Sequence, residues 1–199
     1  MKNSITFIDI DETLFFTKAN ILVKDKEDNI LKKLTNSEYN TYELQDGEHF
    51  DFSEFVSTEL FVQTSVPNKP MIDILKELFE NTKTTQSEVY LLTARQDFDD
   101  KDKFLEFLVK HGIEAGHKDD QKVHVIRAGN IQGLDNASKK YHIIKKMLEG
   151  NDFFETVRLY DDSANNLEAF NDLKLDYPEK NVEPFLLQDG EIKEYRNEY

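Results

Sequence analysis

The chain has 199 residues, 38% hydrophobic and 33% charged, with 15 Phe, 8 Tyr and no Trp. That content can fill one sizeable core and excludes a disordered chain, while 7 Gly and 4 Pro exclude collagen-like and linker-like classes. A formal charge of −15 opposes nonspecific binding to nucleic acid or an anionic membrane, and the absence of Cys excludes disulfides, thiol catalysis and Cys-ligated metals.

No apolar run reaches the roughly 18 residues of a membrane span. The start, Met1-Lys2-Asn3-Ser4, passes straight into Ile5-Thr6-Phe7-Ile8-Asp9, too short and too soon acidic for a signal peptide. A soluble cytoplasmic protein is expected.

Ile5 to Ile8 is predicted as a buried strand, β-branched and aromatic, that breaks into Asp9-Ile10-Asp11-Glu12-Thr13. Ile21-Leu22-Val23 and Ile30-Leu31 flank the polar turn Lys24 to Asn29 and predict a hairpin. Ser37 to Phe55 is polar, aromatic-dotted and poorly periodic, so residues 15–66 read as an insertion over the site, a small cap or flap. Asn68 is a candidate helix cap and Pro70 an early helical residue, ahead of Ile72, Leu75, Leu78 and Phe79 at helical spacing.

Val89 to Leu92 is the next predicted strand, ending in Thr93-Ala94-Arg95. Phe104, Leu105 and Leu108 make a helical stripe stopped by Gly112, and Val123 to Ile126 a strand. Ile143, Ile144, Met147 and Leu148 make a helix that Gly150 ends. Val157 to Tyr160 is a strand ending in Asp161-Asp162, and Ser163 caps a helix carrying Leu167, Phe170 and Leu173. Phe185 to Leu187 and Glu191 to Tyr195, joined at Asp189-Gly190, predict a terminal hairpin. This alternation predicts a single α/β domain over 1–199, a Rossmann-like, mainly parallel sheet with helices on both faces.

In such sheets ligands lie beyond the carboxyl ends of the strands. Asp9, Asp11, Thr93, Asp161 and Asp162 are all expected there. Paired carboxylates at an apolar strand end repel one another unless a cation intervenes, and oxygen donors suit a hard ion, Mg²⁺.

Phe7-Ile8-Asp9-Ile10-Asp11-Glu12-Thr13-Leu14-Phe15 resembles the first motif of the haloacid dehalogenase (HAD) superfamily of phosphotransferases. Leu91-Leu92-Thr93-Ala94-Arg95 resembles the second, Lys139 or Lys140 the third, and Leu159-Tyr160-Asp161-Asp162-Ser163 the fourth. The motifs occur in family order over residues 5–166, and the stretch 15–66 carries none.

The resemblance implies a Mg²⁺-dependent phosphatase. Asp9 would be the nucleophile and metal ligand. Asp11 would be the acid and then the base, its backbone carbonyl on the metal. Thr13 would hydrogen-bond locally and hold the loop. Thr93 and the lysine would bind the phosphoryl group, and Asp162 the metal. Asp161 takes a position usually held by glycine and would be a supporting acceptor. Asn166 departs from the acid that many members carry there.

Blander readings stand beside these. Taken alone, Thr93 is more often a helix cap than a phosphate ligand, and Lys139 and Lys140 a solvated helix face. Both lysines share the inward edge of one helix, with a lean to Lys140. Arg95 suits either a substrate anion or a surface salt bridge. Asp161 suits a cap for the helix at Ser163. Arg127, Gly129 and Asn130 read as loop structure, and Asp97, Asp99, Asp100 and Asp102 as a solvated helix start. His49, His111, His117, His124 and His142 read as structural or surface residues. Phe50, Phe52, Phe55 and Phe61 read as the core of the insertion rather than a base-stacking platform.

The expected substrate is a phosphomonoester: a nucleotide, a polynucleotide end or a small phosphorylated metabolite. A polynucleotide is disfavoured by net charge. The competing expectation is a non-catalytic module on the same fold that binds Mg²⁺ and a phosphate ligand.

Overall fold

The structure, a computed structural model, describes residues 3–39, 41–116 and 122–195, so His117 lies outside the described residues. Ser4–Ile8 forms β1, buried at every position as its apolar run predicts. The chain then turns sharply: the Leu14 and Phe15 N–H groups both donate to the Ile10 carbonyl, and Glu12 takes a φ of 56°.

β2 (Phe15–Phe16), β3 (Ile21–Lys24), β4 (Ile30–Leu34), α1 (Asn36–Tyr39), β5 (His49–Asp51), α2 (Ser53–Val56), α3 (Thr58–Thr64) and β6 (Val66–Pro67) follow. After them come α4 (Lys69–Thr82), β7 (Glu88–Thr93), α5 (Lys101–Lys110), β8 (His124–Arg127) and a 3-10 turn at Ala128–Asn130. The rest is α6 (Asn136–Leu148), β9 (Thr156–Asp161), α7 (Ala164–Asn171), α8 (Leu173–Asp176), β10 (Asn181–Gln188) and β11 (Glu191–Glu194).

The fold is α/β. Its central six-stranded sheet has the order β11-β10-β9-β1-β7-β8. All pairs are parallel except β10 with β11. The chain builds one side of β1 with β7 and β8 and the other with β9 and β10. Strand order therefore reverses at β1, the point of an open α/β sheet beyond whose carboxyl ends ligands bind.

The period-two alternation of the strands feeds two cores. On one face Ile8, Val89 and Leu91 meet Ile72, Leu75 and Phe79 of α4 and Phe104, Phe107 and Leu108 of α5. On the other, Ile5, Phe7, Leu92, Val157 and Leu159 meet Ile144 and Leu148 of α6 and Leu167 and Phe170 of α7. Helices thus flank the sheet on both faces. No helix among the described residues is long and apolar enough to cross a membrane.

Between β1 and α4 in the chain lies a second, antiparallel sheet of order β4-β3-β5, and β2 pairs with β6. The β3–β4 hairpin turns where the polar run predicts, with Asp25 accepting the Glu27 and Asn29 N–H groups. Ile21, Val23 and Leu34 form a small cluster of their own, with Tyr39, Tyr42, Phe50 and Phe55 against it.

Several expectations need correction. Phe61 is not part of that cluster: it is 2% exposed in the main core, edge-on to Phe15, Phe98 and Phe104. Phe52 is 42% exposed, at the edge of the cluster with its ring against Tyr39 and Phe50. β10 begins four residues before the predicted strand, because pairing with β9 from Asn181 onward extends a stretch that is not apolar. Asn68 occupies the cap position of α4 but makes no side-chain cap bond; its amide donates to the Thr13 carbonyl at 2.9 Å instead. The acids at 97–102 are a solvated helix start as read, Asp100 capping α5, and two of them also tie neighbours: Asp99 accepts the Thr58 N–H, and Asp97 pairs with Lys101 and Arg127.

Candidate active site

Asp9 follows β1 directly, and its N–H donates to the Tyr160 carbonyl at 2.9 Å, which ties the loop to β9. Lys140, on the second turn of α6, shares its buried edge with Ile144 and Leu148, four and eight residues on. That edge carries the ammonium to the carboxyl ends of the strands. Nζ donates to Asp9 Oδ1 at 2.5 Å and to Asp161 Oδ2 at 2.7 Å, with the lysine side chain 2% exposed. Lys139 is partly buried and forms no ion pair among the described residues, so the geometry separates the two lysines.

Asp161 ends β9 and is fully buried. Its other oxygen accepts the Ser163 N–H and the Asn166 amide, each at 2.9 Å, while Ser163 is the N-cap of α7. Asn166 thus fastens Asp161, and Asp161 fastens Lys140.

Burial pushes the Asp9 carboxyl well above the usual carboxylate range; Lys140 pulls it back, and Asp161, Asp162 and Asp11 add to the rise. Burial opposes the charge on Lys140, but Asp161 and Asp9 outweigh it and hold the ammonium protonated beyond its ordinary range.

Thr93 closes β7 with its side chain inaccessible, and its hydroxyl oxygen accepts the Arg95 N–H at 3.1 Å. The hydroxyl hydrogen remains to donate elsewhere. The Thr13 hydroxyl departs from expectation: it is buried with no hydrogen-bond partner among the described residues, and the loop is held through the Thr13 carbonyl by Asn68.

The salt bridge read for Arg95 forms, with Asp11, but in the interior rather than at the surface. Its side chain is 1% exposed, so the pair is no surface salt bridge. Nε and Nη2 grip Asp11 at 2.8 and 2.6 Å, and Nη1 donates to the Phe55 carbonyl at 2.6 Å, so every nitrogen of the fork is engaged with the protein.

Asp162 is partly buried beside this cluster without an ion-pair partner among the described residues. Burial, then Asp161, push its carboxyl up to about 7 against the pull of Lys140. Between about pH 4, the ordinary carboxylate range, and about 7 the native state therefore holds a proton that the unfolded chain has lost. The stability this contributes is complete below that window and is lost as pH rises through it. Asp162→Asn removes the titration, so its unfolding midpoint is expected to fall less between pH 4 and 7 than that of the parent. Urea melts in EDTA across that range check this, and parallel curves contradict it.

Two further residues contribute, of which Gly129 reads in the sequence only as loop structure. Glu12 accepts the Thr17 N–H and adds its charge to Asp162; it stands inside the first motif, where its neighbours drew attention away. Gly129 carries the close approach of the β8 end to the loop after Thr93: a Cβ there would lie 2.3 Å from the Ala94 carbonyl oxygen and 2.5 Å from the Arg95 carbonyl carbon. Backbone cannot yield as a flexible side chain does. Gly129→Ala is therefore expected to lower stability by about 2–3 kcal/mol, measured by urea unfolding; an unchanged midpoint contradicts the packing argument.

Asp9, Asp11, Asp161 and Asp162 meet Lys140 and Arg95 as their cations, which leaves an excess of negative charge in a desolvated place. Among the described residues no three His, Cys, Asp or Glu side chains converge as a ready-made metal cage. A cavity of about 240 Å³ lined by Gln86, Ser87, Glu88 and Phe153 lies at the amino end of β7, away from this cluster. Comparison of the chain with protein-family models, with curated proteins and with solved structures finds no match.

Proposed function

We propose that this chain is a Mg²⁺-dependent phosphomonoester hydrolase of the haloacid dehalogenase superfamily, acting through an aspartyl-phosphate on Asp9. The observation that carries the reading is the buried Asp9–Lys140–Asp161 cluster, with Asp11, Thr93 and Asp162 gathered at the ends of β1, β7 and β9. A carboxylate held by one ammonium at the switch point of a parallel sheet suits attack on an anionic ester.

In this reading Asp9 attacks phosphorus while Lys140 orients it and offsets charge on the transferring group. As the bond to the leaving oxygen breaks, the protonated form of Asp11 gives that oxygen its proton and is left as the carboxylate. A water then attacks phosphorus, its proton passes to Asp11, and the Asp9–phosphorus link breaks to release inorganic phosphate. Thr93 donates to a phosphoryl oxygen. Asp161 and Asn166 keep Lys140 in place.

The residues fit a hard divalent cation by chemistry: the donors are all oxygen, and the excess negative charge around Asp162 and Asp9 calls for one. Asp9, Asp162 and the Asp11 carbonyl would hold it. When bound, Mg²⁺ supplies positive charge that offsets repulsion between carboxylate and ester.

The substrate class stays broad: a nucleotide, a polynucleotide end or a phosphorylated metabolite. The test is phosphate release over a panel of phosphomonoesters, in Mg²⁺ and in EDTA, with Asp9→Asn as control. Mg²⁺-dependent release by the parent alone supports the reading. Tight Mg²⁺-dependent ligand binding with no release across the panel favours the non-catalytic module instead.

A further inference from the structure

We propose that Arg95 is a positioning residue through which the segment 15–66 sets the place of the Asp11 carboxyl group. The inference rests on the phosphatase reading above, in which Asp11 moves the protons.

Each of the three guanidinium nitrogens donates to the protein. Nε reaches Asp11 Oδ2 at 2.8 Å and Oδ1 at 3.1 Å, Nη2 reaches Oδ1 at 2.6 Å, and Nη1 reaches the Phe55 carbonyl at 2.6 Å. The rings of Phe55, Phe61 and Phe98 lie 4.7, 4.8 and 5.1 Å from its Cζ. Planar, permanently charged and packed against aromatic rings, it is held in one orientation and gives Asp11 a bidentate seat.

Phe55 belongs to α2, in the segment between β1 and α4. That short helix is itself pinned. Glu54 accepts the Asn20 N–H at 2.8 Å and the Lys33 ammonium at 3.0 Å, and the Val56 carbonyl accepts the Asp99 N–H at 3.0 Å. A continuous run of contacts therefore leads from β3 and β4 through α2 and Arg95 to Asp11. Lysine cannot reproduce it, because one ammonium lacks the planar fork that reaches both partners.

The two proton transfers separate by substrate. An alkyl ester needs a proton on its leaving oxygen in the first step. p-Nitrophenyl phosphate does not, since nitrophenolate leaves as an anion. Both esters need the water proton removed in the second step, when the aspartyl-phosphate is hydrolysed.

The experiment follows the first turnover and the steady state separately for the parent, Arg95→Ala, Arg95→Lys and Phe55→Ala. The esters are p-nitrophenyl phosphate and glycerol phosphate, both in Mg²⁺. Arg95→Ala is expected to keep a first-turnover burst of nitrophenol within about threefold of the parental rate, while its steady state falls about 100-fold. On glycerol phosphate the first turnover itself falls about 100-fold. Arg95→Lys falls between, and Phe55→Ala slows the same steps about tenfold with KM unchanged.

Loss of the burst along with every other step, in protein of parental unfolding midpoint, assigns Arg95 to substrate binding and overturns the proposal. Parental rates for Arg95→Lys on both esters overturn it as well, and that variant decides the matter should Arg95→Ala not fold. A parent that releases phosphate from no ester overturns the phosphatase reading and this inference together; an active parent with either adverse result overturns the inference alone.

Discussion

Asp9→Asn is expected to lose phosphate release by at least about 10⁴-fold while the protein stays as stable as the parent or becomes more so. The two halves of this expectation have separate causes. Amide oxygen is a poor nucleophile, and on the proposed chemistry no other group forms the bond to phosphorus. The stability half comes from burial. Asp9 is 4% exposed, and its carboxyl is pushed upward by burial against the pull of Lys140. Keeping it ionised therefore costs the folded state, a strain tolerated where function needs it. Asn has the same shape, still accepts from Lys140, and leaves Lys140 and Asp161 as a balanced pair 2.7 Å apart. Thermal melts near pH 7, run with the phosphate assay, check both halves. A variant that turns over at the parental rate removes the nucleophile from the mechanism; one that unfolds removes the argument from burial.

The second large effect separates adjacent lysines. Lys140→Ala is expected to cost about 3–5 kcal/mol of stability, because it strands buried Asp9 and Asp161 without the ammonium between them. Lys139→Ala is expected to stay within about 0.5 kcal/mol of the parent. On the proposed function the first variant also loses turnover and the second keeps it. Urea unfolding of the two proteins, side by side, reads the difference directly. Equal midpoints would mean that the Lys140 bonds contribute nothing net. Metal alone is not expected to rescue Lys140→Ala fully, since the ammonium bridges Asp9 to Asp161 and the two acids lie at the ends of different strands.

Much of the frame was legible because it obeys local rules. The apolar run Ile5 to Ile8 had to be interior, and the acids after it had to mark where the strand leaves the core. The helical stripes of α4, α5 and α6 and the positive-φ glycines Gly112 and Gly150 each follow from neighbours a few residues away. Those rules place Asp9, Thr93 and Asp161 at strand ends, and adjacent parallel strands bring the ends together.

Other features depend on contacts between distant parts of the chain. Helical periodicity leaves Lys139 and Lys140 sharing one edge; only the packing of α6 against β1 and β9 makes Lys140 the buried one. Arg95 meets Asp11 across 84 residues and Phe55 across 40, and no local pattern foretells either pairing. The move of Phe61 into the main core and the failure of Asn68 to cap α4 have the same origin, a tertiary partner that competes successfully with the local one. Composition and periodicity determined which side chains had to be inside and which strand ends had to be polar. Which charge meets which was decided only when the sheet brought those ends within hydrogen-bond reach.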